Sequence, residues 1–250
     1  MIKNYFLHIP KAAGSTLSEV FRRNYGDKFC LVHGKAPGEE LIRLKKSNNW
    51  RNYELIWLHG DWGSCEVNSN VLTMLREPIS RMESFYFYVK TKPKHYLHDF
   101  ALNNDAITFF EKAETLELNN GQCRILSGNG GYHGMLSSNS ELSQDTDILS
   151  IARENLLNGT LAFGLQDRFV ESLMLFENEL DWQNGIRFKS QNKRSKQYSK
   201  SSLSQKEIDC LMELNKLDIQ LYNEAVEVFN QRFESIRSVL RELKYSIFRR

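Results

Sequence analysis

Three short stretches carry side chains whose types and spacing suit the handling of an anion. The first is His8-Ile9-Pro10-Lys11-Ala12-Ala13-Gly14-Ser15-Thr16-Leu17. Small residues let the backbone turn tightly there, and successive N–H groups at a helix start cradle an anion with help from the helix dipole. Lys11 sets a positive charge at the mouth of that loop, and Ser15 and Thr16 add hydroxyl donors. The competing explanation is an ordinary helix start capped by Ser15 or Thr16. The second stretch runs from Leu75 through Arg76 to Ser84 and Tyr86. An arginine and a hydroxyl two helical turns apart suit a phosphate monoester. A surface ion pair of Arg76 with Glu77 or Glu83 would explain the same letters. The third is Trp57-Leu58-His59-Gly60-Asp61-Trp62-Gly63, which puts two titratable groups beside glycines. A histidine titrates near neutrality and serves as a base without tuning, whereas Asp61 would need a raised pKa or would orient His59. A lone histidine closing a strand is the bland alternative.

These stretches need elements to hold them. Residues 4–9 form an apolar run that stops at Pro10, and residues 15–25 follow with helical spacing, a strand–loop–helix unit. Further strands are predicted at Phe29–Val32, Leu55–Leu58, Val71–Leu75 and Thr160–Leu165. Pro78 opens a helix, where its missing N–H costs nothing. Residues 38–47, 105–127, 145–157 and 167–180 read as helical. Buried strands alternating with helices predict an α/β fold, with a parallel sheet covered on both faces in three layers. His59 and Arg76 then fall at carboxyl ends of strands, where open α/β sheets bind ligands.

Two later segments differ in character. Residues 187–200 carry six basic residues and no acidic one. From Ser204 the chain reads as helix nearly to residue 250. There Tyr222, Val226, Phe229, Phe233, Ile236, Leu240, Leu243 and Ile247 recur at spacings of four and three, a coiled-coil-like seam. One helix over 205–246 would be about 60 Å long, so a break or a projection toward a partner is expected. The seam could serve a homodimer or pack on the chain's own domain.

The 250 residues, 41% hydrophobic and 26% charged, suit one domain: a core over 1–200 and a helical segment over 204–250. A net charge of +2 excludes the broad basic footprint of a nucleic-acid binder, so any anion site is local. Cys30, Cys65, Cys123 and Cys210 lie too far apart for a zinc site or a disulfide framework. No apolar run reaches the roughly 18 residues of a membrane span, and no signal peptide is evident. A cytoplasmic protein with reduced thiols is expected.

The first loop is not a nucleoside-triphosphate P-loop, because Lys11 precedes the glycine and no lysine follows Gly14. Its lysine-first order resembles the phosphosulfate loop of the carbohydrate sulfotransferases, the group that includes heparan sulfate 2-O-sulfotransferases, usually HIPKTGGTS. Ala12 and Ala13 stand where Thr-Gly is common. The segment from Leu75 resembles LRDPVERAISHYY of the same family, and Asn120–Gly128 and Phe163–Phe169 add support. The resemblance covers about residues 3–200.

It implies binding of 3′-phosphoadenosine 5′-phosphosulfate (PAPS), with 3′-phosphoadenosine 5′-phosphate (PAP) as product and no metal. Residues 10–16 (Pro10, Lys11, Ala12, Ala13, Gly14, Ser15, Thr16) would hold the 5′-phosphosulfate. Arg76 and Ser84 would hold the 3′-phosphate, helped by Arg194, Ser195 and Lys196 of the basic segment. The family carries HGH where this chain has His59-Gly60-Asp61, so the base is His59 with Asp61 as alternative. Lys11 would stabilise the leaving group. His8 reads as a packed residue, His33 as a group able to line the cleft, and His95, His98 and His133 as substrate-side. A sugar hydroxyl, on a glycan or glycolipid, is the leading acceptor, with Trp62, Phe85, Tyr86, Tyr88, Tyr96 and Tyr132 as rings that could stack on it. The expected source is bacterial. A nucleotide-binding scaffold without turnover and a kinase-like phosphotransferase are the rival functions.

Overall fold

A computed structural model describes residues 3–32, 37–47, 50–113, 115–128, 145–182, 184–188 and 203–247. In chain order the first elements are β1 (Asn4–Leu7), α1 (Gly14–Tyr25), β2 (Phe29–Val32), α2 (Pro37–Lys46), β3 (Leu55–Leu58) and β4 (Asn70–Leu75). Next come α3 (Pro78–Lys90), α4 (His98–Asn103), α5 (Ala106–Lys112), α6 (Gly121–Ser127) and α7 (Asp145–Glu154). The chain continues through β5 (Thr160–Leu165), α8 (Phe169–Leu180), α9 (Gln205–Leu214) and α10 (Lys216–Ile247).

The strands form one parallel sheet in the order β2-β3-β1-β4-β5. Tyr5, Phe6, Leu7 and all four residues of β3 are buried. Successive strand side chains point to opposite faces, so burial of consecutive residues means both faces are covered. This is the expected three-layer α/β arrangement. The chain leaves β1 for β2 at one edge, returns through β3 and crosses to β4 on the other side of β1. That reversal is a switch point, and the crevice beyond the strands' carboxyl ends is where such sheets bind ligands. All three candidate stretches leave from β3, β1 and β4, which are neighbours.

The segment over 105–127 is less uniformly helical than its sequence suggests. It is α5, a 3-10 turn at Leu116–Leu118, then α6. The long C-terminal helix breaks at Asn215, as its length required. The buried Asn215 side chain donates to the carbonyls of Leu118 (3.1 Å) and Leu211 (3.0 Å), tying the break to the turn before α6. Of the seam, Tyr222 and Phe229 are buried and Val226, Phe233 and Ile236 pack against the main core. That part of the seam covers the chain's own domain. The side chains of Leu240, Leu243 and Ile247 lie outside the described residues. Among the described residues no helix is long and apolar enough to cross a membrane.

Candidate active site

The loop after β1 turns sharply because two non-glycine residues adopt left-handed backbone, Lys11 at φ 70° and Ala13 at φ 60°. Ala12 N–H closes the turn onto the Ile9 carbonyl at 3.3 Å. The α1 cap residue is Ala13, whose methyl side chain makes no capping hydrogen bond. The alternative of a start capped by Ser15 or Thr16 is therefore corrected: both sit inside the first turn. Gly14 is required by its neighbour, since a Cβ there would be driven into the His8 imidazole. His8 thus forms the floor of the loop. Its ring packs on Trp57 (4.7 Å between centroids) and on His59 (4.8 Å). Burial, then the neighbouring His59 and Lys11, hold its pKa well below the usual histidine value.

Burial also lowers the Lys11 pKa, to about 8, with Arg76 and Lys92 adding to the effect and Glu117 opposing it. The Lys11 ammonium lies 3.9 Å from the Tyr88 ring centroid, a cation–π contact. On α3, Ser84 stands one turn before Tyr88 and shares its stripe of the helix. The face that meets Lys11 therefore carries Ser84 as well.

Arg76 follows the last residue of β4. Its guanidinium donates from Nη1 to the Lys11 carbonyl at 2.9 Å, which joins the first and second stretches. Glu77 accepts instead from the N–H groups of Ile79 (2.9 Å) and Ser80 (2.7 Å), capping α3. Behind Arg76 lies Gln122, whose side-chain amide accepts from Arg76 N–H (3.1 Å) and donates to Arg76 C=O (2.9 Å). Sequence reasoning assigned Gln122 no role; the Asn120–Gly128 match was its only signal.

His59 and Asp61 leave β3 on the same edge. His59 N–H extends the ladder by donating to Val32 C=O at 3.2 Å. Asp61 Oδ1 accepts from Ser64 Oγ at 3.0 Å across a 3-10 turn. Glu117 was also missed. Burial pushes its carboxyl up to about 7, against the pull of Arg81 and then Lys11.

The aromatic residues divide. Phe85 and Tyr86 are buried in a second apolar cluster, so they are core and cannot stack on a ligand. Trp62 is half-buried and packs on the main core. Tyr88 and Tyr96 are exposed, at 38% and 44%. His95 stacks on Tyr96 at 4.7 Å, while His98 Nδ1 faces the Val89 carbonyl at 2.9 Å and joins α4 to α3. His33, Tyr132, His133, Arg194, Ser195 and Lys196 lie outside the described residues.

Residues 3–125 match the model of a sulfotransferase family. Heparan-sulfate 6-O-sulfotransferase 3-B of Danio rerio is 26% identical over 93% of this chain and 65% of its own length. Heparan-sulfate 6-O-sulfotransferase 2 of Gallus gallus is 27% identical over 93% of this chain and 68% of its own. The chain thus spans about two thirds of the length of these curated relatives. A crystal structure of mouse sulfotransferase SULT7A1 complexed with PAP covers 88% of this chain and 65% of that one, with TM-score 0.42 and 14% identity. The family match covers both strand ends joined by the Arg76–Lys11 bond, so the part of the chain that builds the candidate site is the part similar to sulfotransferases.

Proposed function

We propose that this chain moves the sulfuryl group of PAPS to a hydroxyl of a carbohydrate acceptor. The observation that carries this reading is the bond from Arg76 to the Lys11 carbonyl. It holds two cationic stretches side by side at the switch point, an arrangement that suits a nucleotide with phosphates on both its 5′ and 3′ carbons. In this reading Lys11 and the start of α1 serve the 5′-phosphosulfate, and Arg76 and Ser84 serve the 3′-phosphate.

In the reaction the acceptor oxygen attacks sulfur as the bond from sulfur to the bridging oxygen breaks. The electron pair goes to the 5′-phosphate of PAP, where the Lys11 ammonium offsets the growing charge. The acceptor proton goes to His59, which packs on His8 beside the first loop. The named substrate of the relatives supports a sugar acceptor. So do the exposed rings of Tyr88 and Tyr96, the first of them against Lys11.

Isothermal titration with PAP, ADP and ATP tests the donor. PAP is expected to bind most tightly. Arg76→Ala should weaken it by about 1.5–3 kcal/mol, the size of a hydrogen bond to a charged group. Equal binding of ATP, or no effect of Arg76→Ala, would remove the donor assignment. Labelled PAPS with a panel of glycans then tests transfer.

A further inference from the structure

The β4 ladder ends where Leu75 pairs with Leu165. Beyond it the backbone of Arg76 needs partners of another kind, because buried N–H and C=O groups are costly to leave unmade. Gln122 supplies both, from a side chain in a residue only 1% exposed. A single amide thus acts as one rung of strand for one residue. That residue is the one whose guanidinium reaches the first loop.

Gln122 is itself fixed from the other end of the chain. The Asp218 carboxylate, on α10, accepts from the N–H groups of Gln122 (3.0 Å) and Cys123 (2.8 Å) at the start of α6. Asn120 answers by accepting from Leu217 N–H (2.9 Å) at the start of α10. Each helix therefore caps the other. Arg81 locks the pair, 3.7 Å from Asp218 and donating to the Glu117 carbonyl at 3.0 Å. Gly121 leaves room for it, since a Cβ there would lie 2.6 Å from Arg81 Nη2.

We infer that Gln122 is a positioning residue for the 3′-phosphate: its amide clamps the backbone of Arg76 and so aims the guanidinium, while Asp218 and Asn120 hold the clamp in register. This rests on the reading of Arg76 as the 3′-phosphate ligand. It makes a demand that a merely structural glutamine does not. Loss of the clamp should be felt by the 3′-phosphate and not by the rest of the nucleotide.

The test measures PAP and 5′-AMP binding to the full chain by isothermal titration. Gln122→Met keeps the volume and removes both hydrogen bonds. It is expected to weaken PAP by about tenfold, the size of one to two hydrogen bonds, and to leave 5′-AMP affinity unchanged. In an Arg76→Ala background the same change should add nothing, because the group being aimed is gone. If Gln122→Met folds poorly, Gln122→Glu is measured in the same way. It keeps the acceptor for Arg76 N–H but sets an oxygen against the Arg76 carbonyl, and a similar selective loss is expected. A wild type that prefers PAP, with a variant that keeps the same PAP-to-AMP ratio, overturns the clamp alone. Additive losses in the double variant overturn it too. A wild type with no preference for PAP overturns both the clamp and the donor assignment.

Discussion

The guanidinium of Arg76 is hydrogen-bonded at 2.9 Å to the backbone carbonyl of Lys11, a residue 65 positions earlier. The bond exists because β1 and β4 are adjacent and parallel, with Leu7 opposite Thr73. The loops that follow must then meet at one edge of the sheet. Lys11 in turn lies in left-handed backbone, which lets its carbonyl face Arg76 while its ammonium reaches Tyr88.

Lys11 gives the site a pH dependence of defined sign. Its pKa in the folded chain without ligand is about 8, against 10.5 for a free lysine. Between those values the unfolded chain binds more protons than the folded one, so stability without ligand should rise with pH across that window. A bound dianion favours the ammonium, so above pH about 8 PAP binding must take up a proton. Titrations at pH 8.5 in buffers of different ionisation enthalpy should show that uptake, with PAP affinity falling toward higher pH. Lys11→Met should abolish both dependences.

The backbone of the first loop predicts opposite effects at two neighbouring positions. Ala13 at φ 60° occupies a conformation glycine adopts without strain. Ala13→Gly should stabilise the chain by about 0.5–1 kcal/mol, read as a higher melting temperature. Gly14→Ala should destabilise it by about 1–3 kcal/mol through the clash with His8. His8→Ala in the same chain should recover part of that loss.

The two candidate bases separate by kinetics. With labelled PAPS and an accepted glycan, His59→Ala should lower turnover by about 10²–10⁴-fold while PAP binding persists. Asp61→Asn should cost less, since Asp61 is held by Ser64 within its own turn. The reverse order would move the base to Asp61.

Asp218 predicts a stability effect far from any ligand. Its carboxylate and Arg81 are fully buried together, and the N–H groups of Gln122 and Cys123 in the first turn of α6 depend on it. Asp218→Ala takes from the buried Arg81 guanidinium its ion-pair partner, and should cost about 3–5 kcal/mol in urea unfolding.

What the sequence disclosed follows from how each feature is written in it. β1, β3 and β4 are continuous apolar runs, and the loops after them hold chemistry within a few residues, so both were legible. The neighbours of Tyr88 were not. Phe85, Tyr86 and Tyr88 differ only in which stripe of α3 they occupy, and the partner that buries the first two is a cluster built from α4, α5 and α9. The seam was legible as periodicity, but periodicity does not say which surface covers it. Gln122 and Asp218 were silent because each acts through backbone groups 46 and 96 positions away. Such contacts leave no local spacing to read. Glu117 was silent because its burial comes from the turn between α5 and α6, and a glutamate between two leucines reads as surface.

The mutual capping of α6 and α10 sets an order of events during synthesis. The strands and the loops that follow β1 and β4 leave the ribosome well before Asp218, which lies 96 residues after Gln122. Until α10 emerges, Arg81 lacks its Asp218 partner and the start of α6 lacks its carboxylate cap. A nascent chain halted in that interval would carry the loops but not the frame that aims Arg76. Nucleotide binding by stalled chains of increasing length should therefore switch on abruptly once residue 218 and its helix are free, rather than grow with the sheet.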